Sequence, residues 1–403
     1  MKPFRLPALA LAVAVTVAAC TAAAEPTTTT TTPPTSTTAP TTSTATVPQT
    51  TLSVELGEAP AGLDAALLDL YAYAADPSAA DTPNLPAGLI AHLGDLEPTI
   101  GEIVVSGTVT TGQILESEVA VVLADEDIVL CVDDGTDGWR VVGARLSRFE
   151  RTAWYGDGPR LALIIGSDAR PGQNPLGYRA DSLHIVGMVP GSDRGAIVGI
   201  PRDSWVETSY GGKNKFTNVM ASRGPEVVLD TARNVTGLSL EGYLVTGFLG
   251  FEGLVDAFGG FEFDVPFAMA EPKSKAYFDA GLQLFGGADA LAFARNRTLS
   301  GGDFTRSYHQ GLLMVAALRK VQTLGISELP RLLELLGEFV WTDLSAEQLL
   351  TLAASTYDLD PESLPNEVVD GQVGTAGSAS VVYLTDAAFA TFADLADGVL
   401  EEE

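Results

Sequence analysis

The stretch 290–310, ALAFARNRTLSGGDFTRSYHQ, brings Arg295, Arg297 and Arg306 close together in a chain that carries 23 Lys+Arg against 52 Asp+Glu. Guanidinium groups are permanently charged planar forks that match the oxygens of phosphates and carboxylates. Between these arginines, Gly301-Gly302-Asp303 supplies a flexible joint and a helix start. A helix from about Asp303 to Lys320 lines up Asp303, Arg306 and Gln310 on one face, with His309 beside Arg306. An opposing apolar stripe, Phe304, Tyr308, Leu312 and Val315, is then expected to pack that helix into the core. Three arginines around a glycine joint, near carboxylates and an amide, can clamp an oxyanion such as phosphate. The alternative is a cluster of solvated surface charges.

The elements that must position this stretch lie upstream, in an α/β pattern that begins at Arg160. RLALIIGSDARPG is an apolar strand that runs into Asp168 and Arg170. Arg179 and Asp181 lead into the strand SLHIVGMV, and GAIVGIPRDS ends in Arg202 and Asp203. Strand ends of an α/β sheet converge on one rim, where ligands bind. Arg and Asp repeated at such ends mark either a site or a set of simple ion pairs. Further along, the pattern gives a helix pair broken at Gly224-Pro225, a strand GYLVTGF and a helix GFEGLVDAFGG stopped by its glycines. A strand FEFDVPF, two amphipathic helices within 326–357, a late strand SASVVYL and a closing helix complete the chain.

Sixteen of the 23 basic residues lie within 160–320, while 53–159 and 321–403 are strongly acidic. Chemistry is therefore expected in the middle of the chain, and a net charge of -29 argues against nucleic acid as a partner. Residues 53–159 mix a helical pattern around Leu63–Tyr71 with alternating strands, and hold no nucleophile–base pair and no metal-ligand spacing. They are expected to form a small accessory α+β module.

At the N-terminus, Lys2 and Arg5 precede an apolar run and then Val17-Ala18-Ala19-Cys20. That is the layout of an export signal over 1–19, and its end resembles the lipobox of bacterial lipoproteins. The run is shorter than the ~20 apolar residues that a membrane span needs. Cys20 is thus the expected lipid-bearing residue, anchoring the chain to a membrane, and Cys131 is left without a disulfide partner. Residues 20–52 are Thr- and Pro-rich, an extended spacer with nothing to bury.

GSDARPG, YRADS, IPRDS, KFTNVMASRGPE, GLVDAFGG, LAFARNR and GDFTRSYHQ stand in an order that resembles the LytR-CpsA-Psr family over residues 160–400. The resemblance implies an α/β/α sandwich with a central mixed sheet, placed on the outer face of a bacterial membrane. It implies transfer of a glycopolymer from a polyprenyl-pyrophosphate carrier to peptidoglycan through a phosphodiester, assisted by Mg2+. Carried over by position, Asp168 and Asp181 are the metal-associated carboxylates. Arg179, Arg202, Arg295, Arg297 and Arg306 grip the pyrophosphate with Gln310 beside them, and Arg170, Lys215, His309 and Asp303 are further substrate contacts. His309 stands where the family has an arginine, and Lys215-Phe216-Thr217 stands where it has Lys-Ile-Asn. A contact that is weakened or becomes pH-dependent is the expectation at His309.

The chemistry of the residues agrees. Phosphoryl transfer needs positioning and charge neutralisation more than covalent help, and paired carboxylates suit Mg2+. No zinc-like constellation and no P-loop occurs in the sequence. A long carrier tail needs an apolar tunnel, expected at Phe248, Phe251, Leu254, Val255, Phe258 and the apolar face after Gly311. Two other readings use the same residues: a prenyl-pyrophosphate phosphatase with water as acceptor, and a lipoprotein that binds lipid-linked glycan without turnover.

Overall fold

The first sheet of the computed structural model, which describes residues 50–79, 83–297 and 300–401, is built from short alternating segments. Strand β1 (Thr51–Leu56) is followed by helices α1 (Leu63–Ala75) and α2 (Ala87–Leu93). Then come β2 (Glu102–Ile114), β3 (Ser117–Ala124), β4 (Asp127–Asp133) and β5 (Arg140–Arg145). The order is β1-β2-β3-β4-β5, antiparallel except for the parallel β1–β2 pair. Helix α1 buries Leu63, Leu67, Leu70 and Tyr71 against Val105, Val122 and Val129. The first strand begins inside the stretch read as spacer, because Thr51 and Leu52 already pair with Glu102 and Ile103.

Continuous apolar runs make the central sheet, as strands covered on both faces require. They are β6 (Arg160–Ser167), β7 (Ala180–Met188) and β8 (Gly195–Gly199). The chain continues through a small ribbon, β9 (Trp205–Glu207) and β10 (Lys213–Lys215), to α3 (Phe216–Arg223) and α4 (Pro225–Thr236), which break at Gly224-Pro225 as expected. Strand β11 (Gly242–Thr246) returns to the sheet and α5 (Phe248–Ala257) follows. Two hairpin-like pairs then form: β12 (Phe261–Val265) with β15 (Gly281–Phe285), and between them β13 (Met269–Glu271) with β14 (Ala276–Phe278). Helices α6 (Gly287–Ala294), α7 (Asp303–Leu324) and α8 (Leu329–Phe339) lead to β16 (Trp341–Thr342) and α9 (Ala346–Ser355). The chain ends with β17 (Asn366–Val368), β18 (Gly371–Ala376), β19 (Ala379–Leu384) and α10 (Asp386–Asp394).

The central order is β16-β11-β6-β7-β8-β17, a mixed sheet. Side-chain alternation divides its two faces. Leu161, Leu163, Ile165, Leu183, Ile185, Tyr243 and Val245 pack against α3, α4 and α10. On the opposite face, Ala162 and Met188 join a core with α8, α9 and the inner side of β3–β5. Helix α8 lies directly on β2 and α9 on β4. The change of texture at residue 160 thus separates two sheets that share a core, and from Thr50 onward the chain is one compact unit.

Candidate active site

The end of β6, the start of β7 and the end of β8 form one rim, because β6–β7 and β7–β8 are antiparallel. At this rim the β6–β7 ladder slips: Gly166 opposes Ser182, whereas Ser167 opposes Ala180. Asp181 is therefore the extra residue of a β-bulge, a device that re-aims a side chain next to a site. Helix α7 brings its first turns to the same place.

The charges alternate. Asp181 pairs with Arg202 through one oxygen and with Arg297 at 3.4 Å through the other. Asp303 pairs with Arg306 and, at 3.4 Å, with Arg202. The result is a chain Arg297–Asp181–Arg202–Asp303–Arg306. Arg306 is only 4% exposed, and burial pulls its pKa down against the pull of Asp303. For Arg202, burial is outweighed by Asp181, Asp303 and Asp203, and its pKa is raised. Arg306 Nε has no hydrogen-bond partner among the described residues.

Below the arginines a cavity of about 320 Å3 opens between the sheet and helices α5, α7 and α8. Arg295, Arg297, Arg306 and Gln310 stand at its polar end, together with Asp181 and Ser182. Its walls include Ile164, Leu244, Leu313, Met314 and Leu336, and all five tunnel candidates Phe248, Phe251, Leu254, Val255 and Phe258. Arg295 lies over the Phe248 ring, 4.5 Å from its centroid, a cation–π contact that ties rim to wall. Gln310 donates to the Ala294 carbonyl at 3.1 Å, which binds α7 to α6.

Four other expected residues, Asp168, Arg170, Arg179 and Lys215, are outside the cavity lining. Asp168 accepts the Arg179 N–H at 2.9 Å, while the Arg170 and Arg179 side chains are exposed and outside the cavity lining. Lys215 is held by Asp203 at 3.1 Å and is also outside the lining. His309 is corrected outright. It is 2% exposed and stacks on Phe293 with centroids 4.8 Å apart, and burial lowers its pKa to about 4. Among the described residues its ring contacts are Phe293, Phe267 and Tyr308. The expected stripe of α7 also fails in part: Tyr308 is 43% exposed, and the buried face includes Arg306, Ser307 and His309. Sequence reasoning passed over Ser182 and His184. The available signal was a Ser and a His two residues apart in an otherwise apolar strand.

Cys20, the export signal and most of the spacer lie outside the described residues. Among the described residues no helix is long and apolar enough to cross a membrane, and no group of three His, Cys, Asp or Glu could hold a metal.

The site thus sets arginines at the mouth of an apolar cavity within a layered α/β fold. The chain belongs to the LytR_cpsA_psr family, whose model matches residues 145–394. It is 32% identical over 160 residues to the probable cell wall biosynthesis protein LcpB of Corynebacterium glutamicum, covering 37% of this chain and 38% of that protein. It is 29% identical over 200 residues to the polyisoprenyl-teichoic acid–peptidoglycan teichoic acid transferase TagU of Halalkalibacterium halodurans, covering 49% of this chain and 65% of that one. The chain thus spans less than two thirds of either relative. Among solved structures, gbs0355 of Streptococcus agalactiae superposes with a TM-score of 0.53 at 22% identity, over 61% of this chain and 90% of that one. TagV of B. subtilis superposes at 0.50 with 23% identity, over 59% and 95%. These likenesses establish the α/β/α fold expected from the sequence.

Proposed function

We propose that this protein transfers a glycopolymer from a polyprenyl-pyrophosphate carrier to peptidoglycan through a phosphodiester. The observation that carries the reading is the contact between two unlike surfaces. A cluster of guanidinium groups opens directly onto a cavity walled by Phe251, Leu254, Leu313 and their neighbours. An anionic head satisfies the first surface and a long apolar tail the second. The family and the names of the curated relatives support the same reading.

In this reaction Arg297 and Arg306 neutralise charge on the phosphoryl group in transfer, and Arg295 holds the second phosphate where tail and head meet. Asp181 and Asp303 hold the guanidinium forks in place before the donor arrives. Mg2+ belongs to the proposal through Asp168 and Asp181. Arg202 and Arg297 engage both oxygens of Asp181, whereas one oxygen of Asp168 has no hydrogen-bond partner among the described residues. Mg2+ binds through one or two carboxylates together with substrate phosphates, so Asp168 would hold it, and Asp181 would join where a diphosphate takes over its arginines. When bound, the ion supplies further neutralisation of phosphate charge.

We place the chain on the outer face of the membrane, anchored through lipidated Cys20. Cys20→Ser should then release it from membranes, and unchanged retention with normal signal cleavage would remove the anchor. The reaction itself is tested with a polyprenyl-pyrophosphate-linked oligosaccharide, Mg2+ and peptidoglycan fragments. Prenyl monophosphate should appear in step with glycan attached to the fragments. A donor that is neither bound nor cleaved would sink the assignment.

A further inference from the structure

One run of polar side chains on the cavity face of the central sheet is not used by the donor clamp. Ser182 and His184 are two residues apart on β7 and so share a face, while Leu183 and Ile185 pack in the opposite layer. Ser182 lines the cavity next to Asp181, and His184 lies behind it at 1% exposure. Ser182 Oγ is 3.1 Å from His184 Nδ1, and His184 Nε2 is 3.0 Å from the Ser307 carbonyl of α7.

The hydrogen-bond network assigns the protons. Nε2 also has Ser307 Oγ at 3.4 Å, but the carbonyl is nearer and only accepts, so Nε2 carries the ring hydrogen. Burial pushes the His184 pKa down to about 4, so the ring is neutral and Nδ1 is a lone pair. The Ser182 hydroxyl must then donate inward to Nδ1, which leaves its oxygen lone pairs for the cavity mouth. Two glycines make room for this arrangement. A Cβ on Gly166 would stand 2.9 Å from the Ser182 Cβ, and one on Gly199 would collide with Ser307 Oγ and reach 3.2 Å from His184 Nε2.

A hydroxyl fixed as an acceptor is poorly suited to a phosphate oxygen, which also brings lone pairs. It suits a group that donates. We propose that Ser182 is the subsite for the incoming alcohol, its oxygen accepting the hydrogen bond of the attacking hydroxyl while His184 keeps the serine proton turned inward. This rests on the transferase reading and adds to it the place where the acceptor is held. In the step, the alcohol oxygen forms a bond to phosphorus and the bond from phosphorus to the bridging oxygen breaks. The electron pair leaves with prenyl monophosphate, a base with a pKa near ~6 that takes up the alcohol's proton. Ser182 touches the acceptor. His184 is a positioning residue.

The test compares Ser182→Ala, His184→Leu and His184→Asn, using the prenyl-pyrophosphate-linked oligosaccharide and a soluble peptidoglycan glycan fragment. Donor affinity is measured by calorimetry, and kcat and acceptor KM by steady-state kinetics. Ser182→Ala should keep donor affinity within about twofold and lose roughly tenfold in acceptor kcat/KM, the scale of one hydrogen bond. His184→Leu should show the same loss with the serine still present. His184→Asn, which keeps an acceptor near the Nδ1 position, should recover most of it. Wild-type acceptor kcat/KM in Ser182→Ala, a loss confined to donor affinity, or a folded His184→Asn as poor as His184→Leu would each overturn the proposal. If His184→Leu does not fold, Ser182→Ala decides alone. A wild-type protein that leaves the donor uncleaved would instead refute the transferase reading.

Discussion

Arg297→Ala separates the chemistry of the clamp from its contribution to folding. The Arg297 side chain is 62% exposed, and its ion pair to Asp181 spans 3.4 Å. Such an exposed pair is worth about 0.2–1 kcal/mol, so the melting temperature should shift by a few degrees at most. If Arg297 stabilises charge on the phosphoryl group, its loss should cost roughly 3–4 kcal/mol, or two to three decades in rate. The assay is prenyl monophosphate release with Mg2+ at saturating donor, run beside a thermal melt. Arg306→Ala is a less clean probe, because Arg306 is 4% exposed and paired with Asp303. Removing one partner of a buried pair costs on the order of 3–5 kcal/mol of stability. Arg297 thus lies on the polar rim, whereas Arg306 is buried behind it. A rate for Arg297→Ala within threefold of wild type would refute the clamp.

Ala317→Trp, which fills the apolar wall of the cavity, should raise KM for a long-tailed donor by about tenfold and leave a short-tailed analogue little changed. Equal effects on both donors would place the tail elsewhere. His309 and His184 both have folded-state pKa values lowered to about 4. Above pH ~6.5 they are neutral in both states and contribute no pH dependence; below it the unfolded chain binds protons first. Stability should therefore fall as pH drops from about 6.5 to about 4, by roughly 3 kcal/mol at most for each group. His309→Phe should remove its share of that slope in pH-dependent melts, and an unchanged slope would mean that His309 is not buried as a neutral ring. His309→Arg should lower the melting temperature, since it buries a permanent charge at a position that is 2% exposed.

Much of this was legible because strands buried on both faces are written as unbroken apolar runs. RLALIIG, SLHIVGM and GAIVG read as sheet, and Gly224-Pro225 and Gly259-Gly260 punctuate the helices where the sequence places them. The apolar wall from Phe248 to Phe258 was reached by another route, from the long carrier tail that the family resemblance implies and that needs an apolar tunnel. The errors cluster where polar side chains are buried. Helix α7 turns Arg306, Ser307 and His309 inward, so a search for an apolar stripe chose Tyr308 instead. The bulge at Asp181 and the proton order at Ser182–His184 depend on register between strands, which local sequence does not encode. The shared core beneath α8 and α9 depends on long-range packing in the same way.

The alternating chain Arg297–Asp181–Arg202–Asp303–Arg306 holds three cations against two carboxylates, and under the proposed function Asp303 is an internal stand-in for the anionic head of the donor. Asp303→Asn keeps the shape of the side chain and removes the charge between Arg202 and Arg306. Arg306 then loses its ion pair and keeps only the longer-range attraction of Asp181, so the melting temperature should drop. Inorganic pyrophosphate supplies the missing charge, and an anion that binds only the folded state stabilises by RT ln(1 + [L]/Kd). The variant should therefore gain more in melting temperature from pyrophosphate than the wild type does, and recover most of what it lost. In turnover the order should reverse. Without Asp303 to hold their orientation, Arg202 and Arg306 bind the ground state at least as well and the transition state worse, so KM falls slightly while kcat drops about tenfold or more. An equal or smaller pyrophosphate effect in the variant would show that the guanidinium chain is a structural ion-pair lattice, and the anion site would have to be sought elsewhere.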